Sequence, residues 1–98
     1  MLIQHSAVDR RAKANELRDA KFTAGYSWKG AVFQIDSASR GAIAARALKV
    51  YRNPESVIWR TTANEEYPFS AEDFLAFADA VDAYAESLVK ECWALKAV

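Results

Sequence analysis

A long amphipathic pattern near the carboxyl terminus constrains the fold of this chain more than any other feature. Apolar side chains recur there at alternating intervals of three and four residues, the last two only roughly in step: Phe74, Phe77, Val81, Tyr84, Leu88, Cys92 and Leu95. This period predicts a helix over 70–96. From 71 to 96 it would rise roughly 39 Å at 1.5 Å per residue. Either the whole apolar stripe covers a sheet, or its far end projects and pairs with another subunit.

Length and composition limit the chain to one small domain. It has 98 residues, and 20 alanines account for much of its 52% hydrophobic content. The remaining apolar residues, many of them aromatic, suffice for one small core. The sequence contains no run of about 18 apolar residues, so it predicts no membrane-spanning helix. The amino-terminal sequence does not resemble a secretory signal, so we expect the protein to stay in the cytoplasm where it is made, unless cell lysis releases it.

The first segment has a helical composition but few large apolar side chains. Residues 6–21 mix both signs of charge, and Val8 and Leu17 form only a thin apolar stripe. Such a helix is either mostly solvated or completed by a partner. We therefore predict an N-terminal helical extension over 1–17 and a single α+β domain over 18–98.

Two stretches predict β-hairpins. In residues 22–35 the predicted turn is Lys29-Gly30. Gly25 indicates a bulge or a close backbone approach. The side chains predicted to face the core are Phe22, Ala24, Tyr26, Trp28, Phe33 and Ile35. The second hairpin pairs 57–61 with 66–69 around a turn at 63–65. Pro68 places its returning strand at a sheet edge or at a strand end.

A helix over 39–51 is predicted between the hairpins. Asp36, Ser37 and Ser39 can accept hydrogen bonds from free backbone N–H groups at its start. Asn53-Pro54 ends it. One face is predicted to carry Ile43, Ala47, Leu48 and Tyr51.

Together these elements predict an α+β fold. Two hairpins would form a small antiparallel sheet, packed by the helices over 39–51 and 70–96. Ser70 opens the last helix, with Glu72 and Asp73 in its first turn, where the helix dipole favours carboxylates.

The sequence offers no convincing catalytic, cofactor-binding or metal-binding group. His5 is the only histidine and lies in a polar amino terminus, where it cannot be held against a nucleophile. Cys92 is the only cysteine, which excludes an intrachain disulfide, and a packing role is favoured over a reactive thiol. The three glycines do not form a phosphate-binding loop. We therefore predict a non-enzymatic protein without a cofactor.

Acidic residues spaced along the last helix admit two interpretations. Asp79, Asp82 and Glu86 share a helical face. They could hold a hard cation, but such sites usually draw ligands from a loop. A solvated acidic face is the favoured interpretation.

Charge is distributed unevenly although the net charge is zero. Residues 1–60 carry 11 basic and 5 acidic side chains, whereas residues 61–98 carry 2 and 8. The halves could neutralise each other within one fold, or the dipolar molecule could stack head to tail or dock on a charged partner. The basic helix suggests nucleic acid as an alternative partner, with phosphate contacts from Arg40, Arg46, Lys49 and Arg52. Zero net charge argues against that alternative.

The order of several short motifs resembles a small family of unknown function found in bacteriophage and prophage tail gene clusters. Its members are often described as tail-fibre or tail-fibre-assembly proteins. The matching residues are Arg18-Asp19, Gly25, Tyr26, Gly30, Phe33-Gln34, Asp36, Ser39, Ile43, Trp59-Arg60-Thr61, Asn64, Phe69-Ser70 and Leu95-Lys96. Many relatives carry a longer region before this domain, so a function housed there would be missing here.

The resemblance implies a module placed in or near a phage tail and carries over no active-site residue. We expect a structural component of the tail tip or fibre, or a fibre-assembly factor, made in the bacterial host cytoplasm and in the first case carried into the virion. The expected partners are tail or tail-fibre proteins and further copies of the chain. The side chains predicted to make these contacts are Leu17, Leu88, Cys92 and Leu95.

Overall fold

A computed structural model describes residues 7–97, with side chains for residues 11–95. The elements follow in the order α1 (Ala7–Ala24), β1 (Tyr26–Trp28), β2 (Ala31–Phe33), α2 (Ser37–Arg52), β3 (Val57–Arg60), β4 (Glu66–Phe69) and α3 (Ala71–Ala97). This confirms the predicted α+β fold with an N-terminal helix. His5 lies outside the described residues.

The two hairpins stay separate instead of merging into one sheet. β1 pairs only with β2, and β3 pairs only with β4, both antiparallel. One backbone hydrogen bond links them, from Thr62 N to Val32 O at 2.8 Å. Their main connection is through side chains, because the Phe33 ring lies 5.6 Å from Tyr67 and 5.7 Å from Phe69 between ring centres. Aromatic packing across short strands therefore replaces the continuous ladder that we predicted.

The first helix is longer than predicted. Phe22 and Ala24, which we assigned to a strand, lie in α1, and β1 begins only at Tyr26. No residue between 18 and 24 breaks a helix. The helix ends where Gly25 takes a φ of +84° and its N–H donates to Phe22 O at 3.3 Å. A left-handed glycine after the last helical residue is a common helix end.

Gly25 also provides the close backbone approach that the sequence indicates. A Cβ at this position would lie 2.7 Å from the carbonyl oxygen of Phe33 and 2.9 Å from Val32 Cγ1. Only a residue without a side chain lets α1 meet β2 so closely. Gly25 thus joins α1 to the first hairpin.

The turn at Lys29-Gly30 confirms the predicted hairpin geometry. Both residues have positive φ, 47° and 85°. Two consecutive positive φ values are the mark of a type I′ turn, whose twist matches that of the flanking strands.

Asp36 begins α2 as a side-chain cap. Its Oδ1 accepts a hydrogen bond from Ser39 N at 2.7 Å. The hydrogen bonds from Ser39, and secondarily the charge of Arg40, lower the pKa of the Asp36 carboxyl below its ordinary value of 3.8. The helix starts at Ser37, two residues before the predicted position. At its end the N–H of Asn53 donates a hydrogen bond to Lys49 O.

The buried face of α2 differs from the predicted one. Ile43 and Val50 are buried and Ala47 packs beside them, whereas Leu48 is 53% exposed and Tyr51 77% exposed. The observed interval 43–47–50 follows the helical period, while Leu48 falls to one side of it.

The first half of α3 supplies the centre of the core. Ser70 Oγ accepts from Asp73 N at 3.1 Å at its start. Phe77 is fully buried, with its ring centre 4.8 Å from Phe33 and 5.0 Å from Phe69. α3 therefore gathers both hairpins and α2 around one aromatic cluster. Among the helices of the described residues, none is long and apolar enough to cross a bilayer.

Alanine substitutions at the three glycines should change the stability of the fold by amounts that depend on the surroundings of each glycine. Gly25→Ala should destabilise by more than about 2 kcal/mol, since it combines positive φ with a clash against backbone. Gly30→Ala meets nothing within 4 Å and should cost only about 1 kcal/mol of backbone strain. Gly41→Ala, inside α2 and equally open, should stabilise by about 0.5–1 kcal/mol. Urea denaturation measures all three, and a Gly25→Ala loss no larger than that of Gly30→Ala would contradict the close approach.

Removing the Asp36 carboxylate should change how stability depends on pH. Its pKa is lower in the folded state, so its contribution is present above the unfolded pKa and is lost as pH falls through the folded pKa. The Tm of Asp36→Asn should therefore fall less than that of the parent protein between about pH 5 and about pH 3. Asp79→Asn, at an exposed carboxylate of α3, is the matched control and should follow the parent. Identical pH profiles for the two variants would show that the cap does not act through its charge.

Candidate functional site

The most distinctive surface of the molecule is formed by α1 and the far half of α3. The two helices run antiparallel: Lys21 Nζ lies 2.7 Å from Glu91 Oε1, and further out Cys92 Sγ lies 3.6 Å from Asn15 Oδ1. We call α1 together with residues 84–97 of α3 the helix pair. It gives the molecule an extent of 62 Å along its longest axis, against 27 and 20 Å across.

Small and medium side chains fill the seam of the helix pair. Ala14 of α1 is buried, and so are Ala85, Leu88 and Cys92 of α3. The small side chain of Ala14 leaves room for α1 to approach α3 near Cys92, which contacts the neighbouring Asn15. The Cys92 thiol donates toward the Asn15 side chain within this seam, as expected for a cysteine in a packing role.

This arrangement corrects the predicted contact surface. Leu88 and Cys92 were expected to bind another subunit, but α1 of the same chain covers them. Leu17 and Leu95 remain 42% and 41% exposed. The far end of α3 does extend beyond the hairpins, and its first partner is α1. Of the thin apolar stripe of α1, Leu17 is therefore only partly covered by α3, and the side chain of Val8 lies outside the described ones.

One broad side of the helix pair, the leucine face, carries Leu17 and Lys21 of α1 beside Glu91 and Leu95 of α3. These four side chains and Arg18 line one shallow groove, with Leu88 and Cys92 at its base. The two leucines are the exposed apolar part of this face. The ion pair between Lys21 and Glu91 lies beside them.

The opposite side, the tryptophan face, carries Phe22 of α1 and Val89 and Trp93 of α3. Arg18 lies between the two faces and lines the cavities on both. Trp93 is 62% exposed and follows Val89 by one helical turn. The sequence did not single out Trp93, since it falls outside the apolar stripe of α3. An aromatic side chain out of step with the stripe of its helix is the signal that could have identified it.

A cleft of about 390 Å³ opens on the tryptophan face where α1 meets the start of α2. Arg40 crosses it, with Nε donating to Ile35 O at 3.0 Å and the guanidinium 4.6 Å from the Phe22 ring centre. The other charged side chains of its lining are Arg18, Asp19 and Asp36. Two arginines and two aspartates leave the cleft without net charge, so its electrostatics do not favour an anionic ligand.

Two of the basic side chains of the nucleic-acid alternative share one carboxylate. Arg46 Nη2 lies 3.1 Å from Glu55 Oε1, and Lys49 Nζ lies 4.0 Å from the same oxygen. Arg40 packs on α1 instead. A phosphate-binding surface needs several cations on one face, but Glu55 pairs with Arg46 and Lys49, and Arg40 packs against Phe22.

Ion pairs join the basic and acidic halves of the sequence. Lys21 pairs with Glu91, and Lys29 Nζ lies 4.0 Å from Asp73 Oδ1. These contacts agree with neutralisation within one fold. Head-to-tail stacking and docking on a charged partner stay predictions.

Metal-binding geometry is not found in the part of the chain that the structure describes. No group of three or more His, Cys, Asp or Glu side chains there could hold a metal ion. On the acidic face of α3, Asp79 and Asp82 are exposed, and Glu86 Oε1 lies 3.1 Å from Lys90 Nζ.

Comparison with known proteins gives one family match. No curated protein matches the chain, and no solved structure does. The model of a domain of unknown function, DUF4376, matches residues 6–98, a range that includes all the elements described above. The chain belongs to the DUF4376 family.

Proposed function

We propose that this protein is a non-enzymatic bacteriophage tail-associated protein that acts through protein–protein contacts of the helix pair. It would be a structural component of the tail tip or fibre, or a factor that assists fibre assembly. The proposal combines the resemblance of the sequence motifs to tail-cluster proteins with the exposed apolar side chains of the helix pair. The observation that carries it is the exposure of Trp93, Leu17 and Leu95 on the helix pair, which extends beyond the hairpins.

The surroundings of the matched residues support a structural role for the shared motifs. Gly25 and Gly30 take positive φ values at a helix end and in a hairpin turn. Asp36 and Ser70 accept backbone N–H groups at the starts of α2 and α3. These four motif positions shape the backbone, which leaves the surface of the helix pair to carry specificity.

The exposed apolar side chains of the helix pair favour binding to another protein. Burying the exposed part of each leucine would contribute about 1 kcal/mol, and burying Trp93 contributes more because of its size. Tryptophan is also among the residues most often found to dominate interface energies. The tryptophan face is accordingly the proposed contact for a tail protein.

Affinity capture during phage production tests this proposal. The tagged full-length chain, produced in host cells that also make the phage tail, should recover a tail or tail-fibre protein identified by mass spectrometry. Trp93→Gln should weaken that contact by about tenfold or more, as expected for an interface tryptophan. Leu48→Gln, at a comparably exposed apolar side chain of α2, is the control and should have no effect.

Analysis of purified virions then separates the two roles. A tail component is found in the virions, whereas an assembly factor binds the fibre protein and is absent from them. Recovery of no tail protein, together with absence from virions, would contradict the proposal.

A further inference from the structure

We propose that the leucine face of the helix pair binds a second copy of this chain, giving a four-helix arrangement of two helix pairs. This inference rests on the proposed function, because it assigns a partner to the second face of the same helix pair. The tryptophan face is left for the tail protein. Leu17 and Leu95 would lie at the centre of the contact between copies.

On the leucine face, α1 carries positive charges and α3 carries a negative charge. Lys13 and Lys21 lie one turn to either side of Leu17 on α1, and both are exposed. Glu91 lies one turn before Leu95 on α3. The face thus has a basic strip beside an acidic residue, with a leucine in each helix. A surface of this kind is complementary to a copy of itself turned by 180°.

The charges also select one of two symmetric arrangements. A twofold axis parallel to the helices places α1 opposite the α3 helix of the second copy, at the same height. Lys21 would then meet Glu91 of its own chain on one side and Glu91 of the second copy on the other. A twofold axis across the helices would place α1 opposite α1 and bring Lys13 close to Lys21 of the second copy. Opposing cations disfavour that arrangement.

The size of the face suits a reversible dimer. Residues 84–97 of α3 rise about 21 Å, and two adjacent helices are about 20 Å wide, which gives a footprint of about 400 Å². Stable interfaces bury about 800 Å² per partner. The dimer is therefore expected to dissociate in the micromolar range and to be strengthened where many copies are held close together.

Light scattering after size-exclusion chromatography, over a concentration series, tests for the second copy. The mass should rise from the 10.9 kDa of one chain to twice that value. Leu17→Gln, which keeps a good helix-forming residue, should weaken dimerisation by about tenfold or more because the symmetric interface loses the leucine twice. Trp93→Gln on the opposite face is the control and should dimerise like the parent. A monomer at near-millimolar concentration would overturn the inference, and so would equal dimerisation of Leu17→Gln and the parent.

A charge exchange tests the arrangement of the helices. The double variant Lys21→Glu with Glu91→Lys keeps the ion pair within each chain and should dimerise with itself as the parent does. In a mixed dimer with the parent, however, lysine would face lysine and glutamate would face glutamate. Mixed dimers should therefore be depleted several-fold below the statistical proportion. The two chains have the same composition, so the parent is labelled with ¹⁵N and the dimers are counted by native mass spectrometry.

Statistical mixing would overturn the pairing of α1 with the second copy's α3. Light scattering and affinity capture together distinguish failure of this inference from failure of the proposed function. If dimerisation is not found while the tail protein is still recovered, only the second copy is excluded. If the protein dimerises but recovers no tail protein and is absent from virions, only the tail assignment is excluded.

Discussion

The apolar stripe of α3 is the constraint on which the rest of the structure depends. The helix has 27 residues and rises about 40 Å, further than two short hairpins and α2 can cover. Its first half is buried in the aromatic core through Phe74, Phe77 and Val81. Its second half would expose Leu88 and Cys92 if α1 did not pack along it. One continuous helix thus joins a globular body to a projecting helix pair.

Local chemistry made much of the fold predictable. Caps and turns are set by a few neighbouring residues, so Asp36, Ser70 and Lys29-Gly30 could be placed from the sequence. The boundary at Phe22 could not, because alternating apolar residues before a glycine suit a strand, and the same residues without a breaker suit a helix. The failure of the two hairpins to merge was equally hidden, since it depends on how the rings of Phe33, Tyr67 and Phe69 fill the space between them.

The candidate site depended on tertiary contacts and was less predictable. The spacing of Leu88, Cys92 and Leu95 correctly indicated an apolar face, but periodicity does not say whether the covering partner is the same chain or another. Ala14 gave little signal because alanine is common throughout this sequence, although its small size is what allows α1 to approach α3. The basic residues of α2 showed the reverse problem: they looked like one surface, yet Glu55 pairs with two of them. Charge counts along a sequence omit such neighbours.

The reactivity of the single thiol tests the central claim, the packing of α1 on the far half of α3, most directly. Cys92 is buried in the seam of the helix pair, and a labelling reagent can reach it only when α1 detaches or the chain unfolds. Under native conditions it should react orders of magnitude more slowly than in denaturant, and Ala14→Arg, which places a large charged side chain in the seam, should speed the native reaction. A native rate equal to that of the denatured chain would contradict the account.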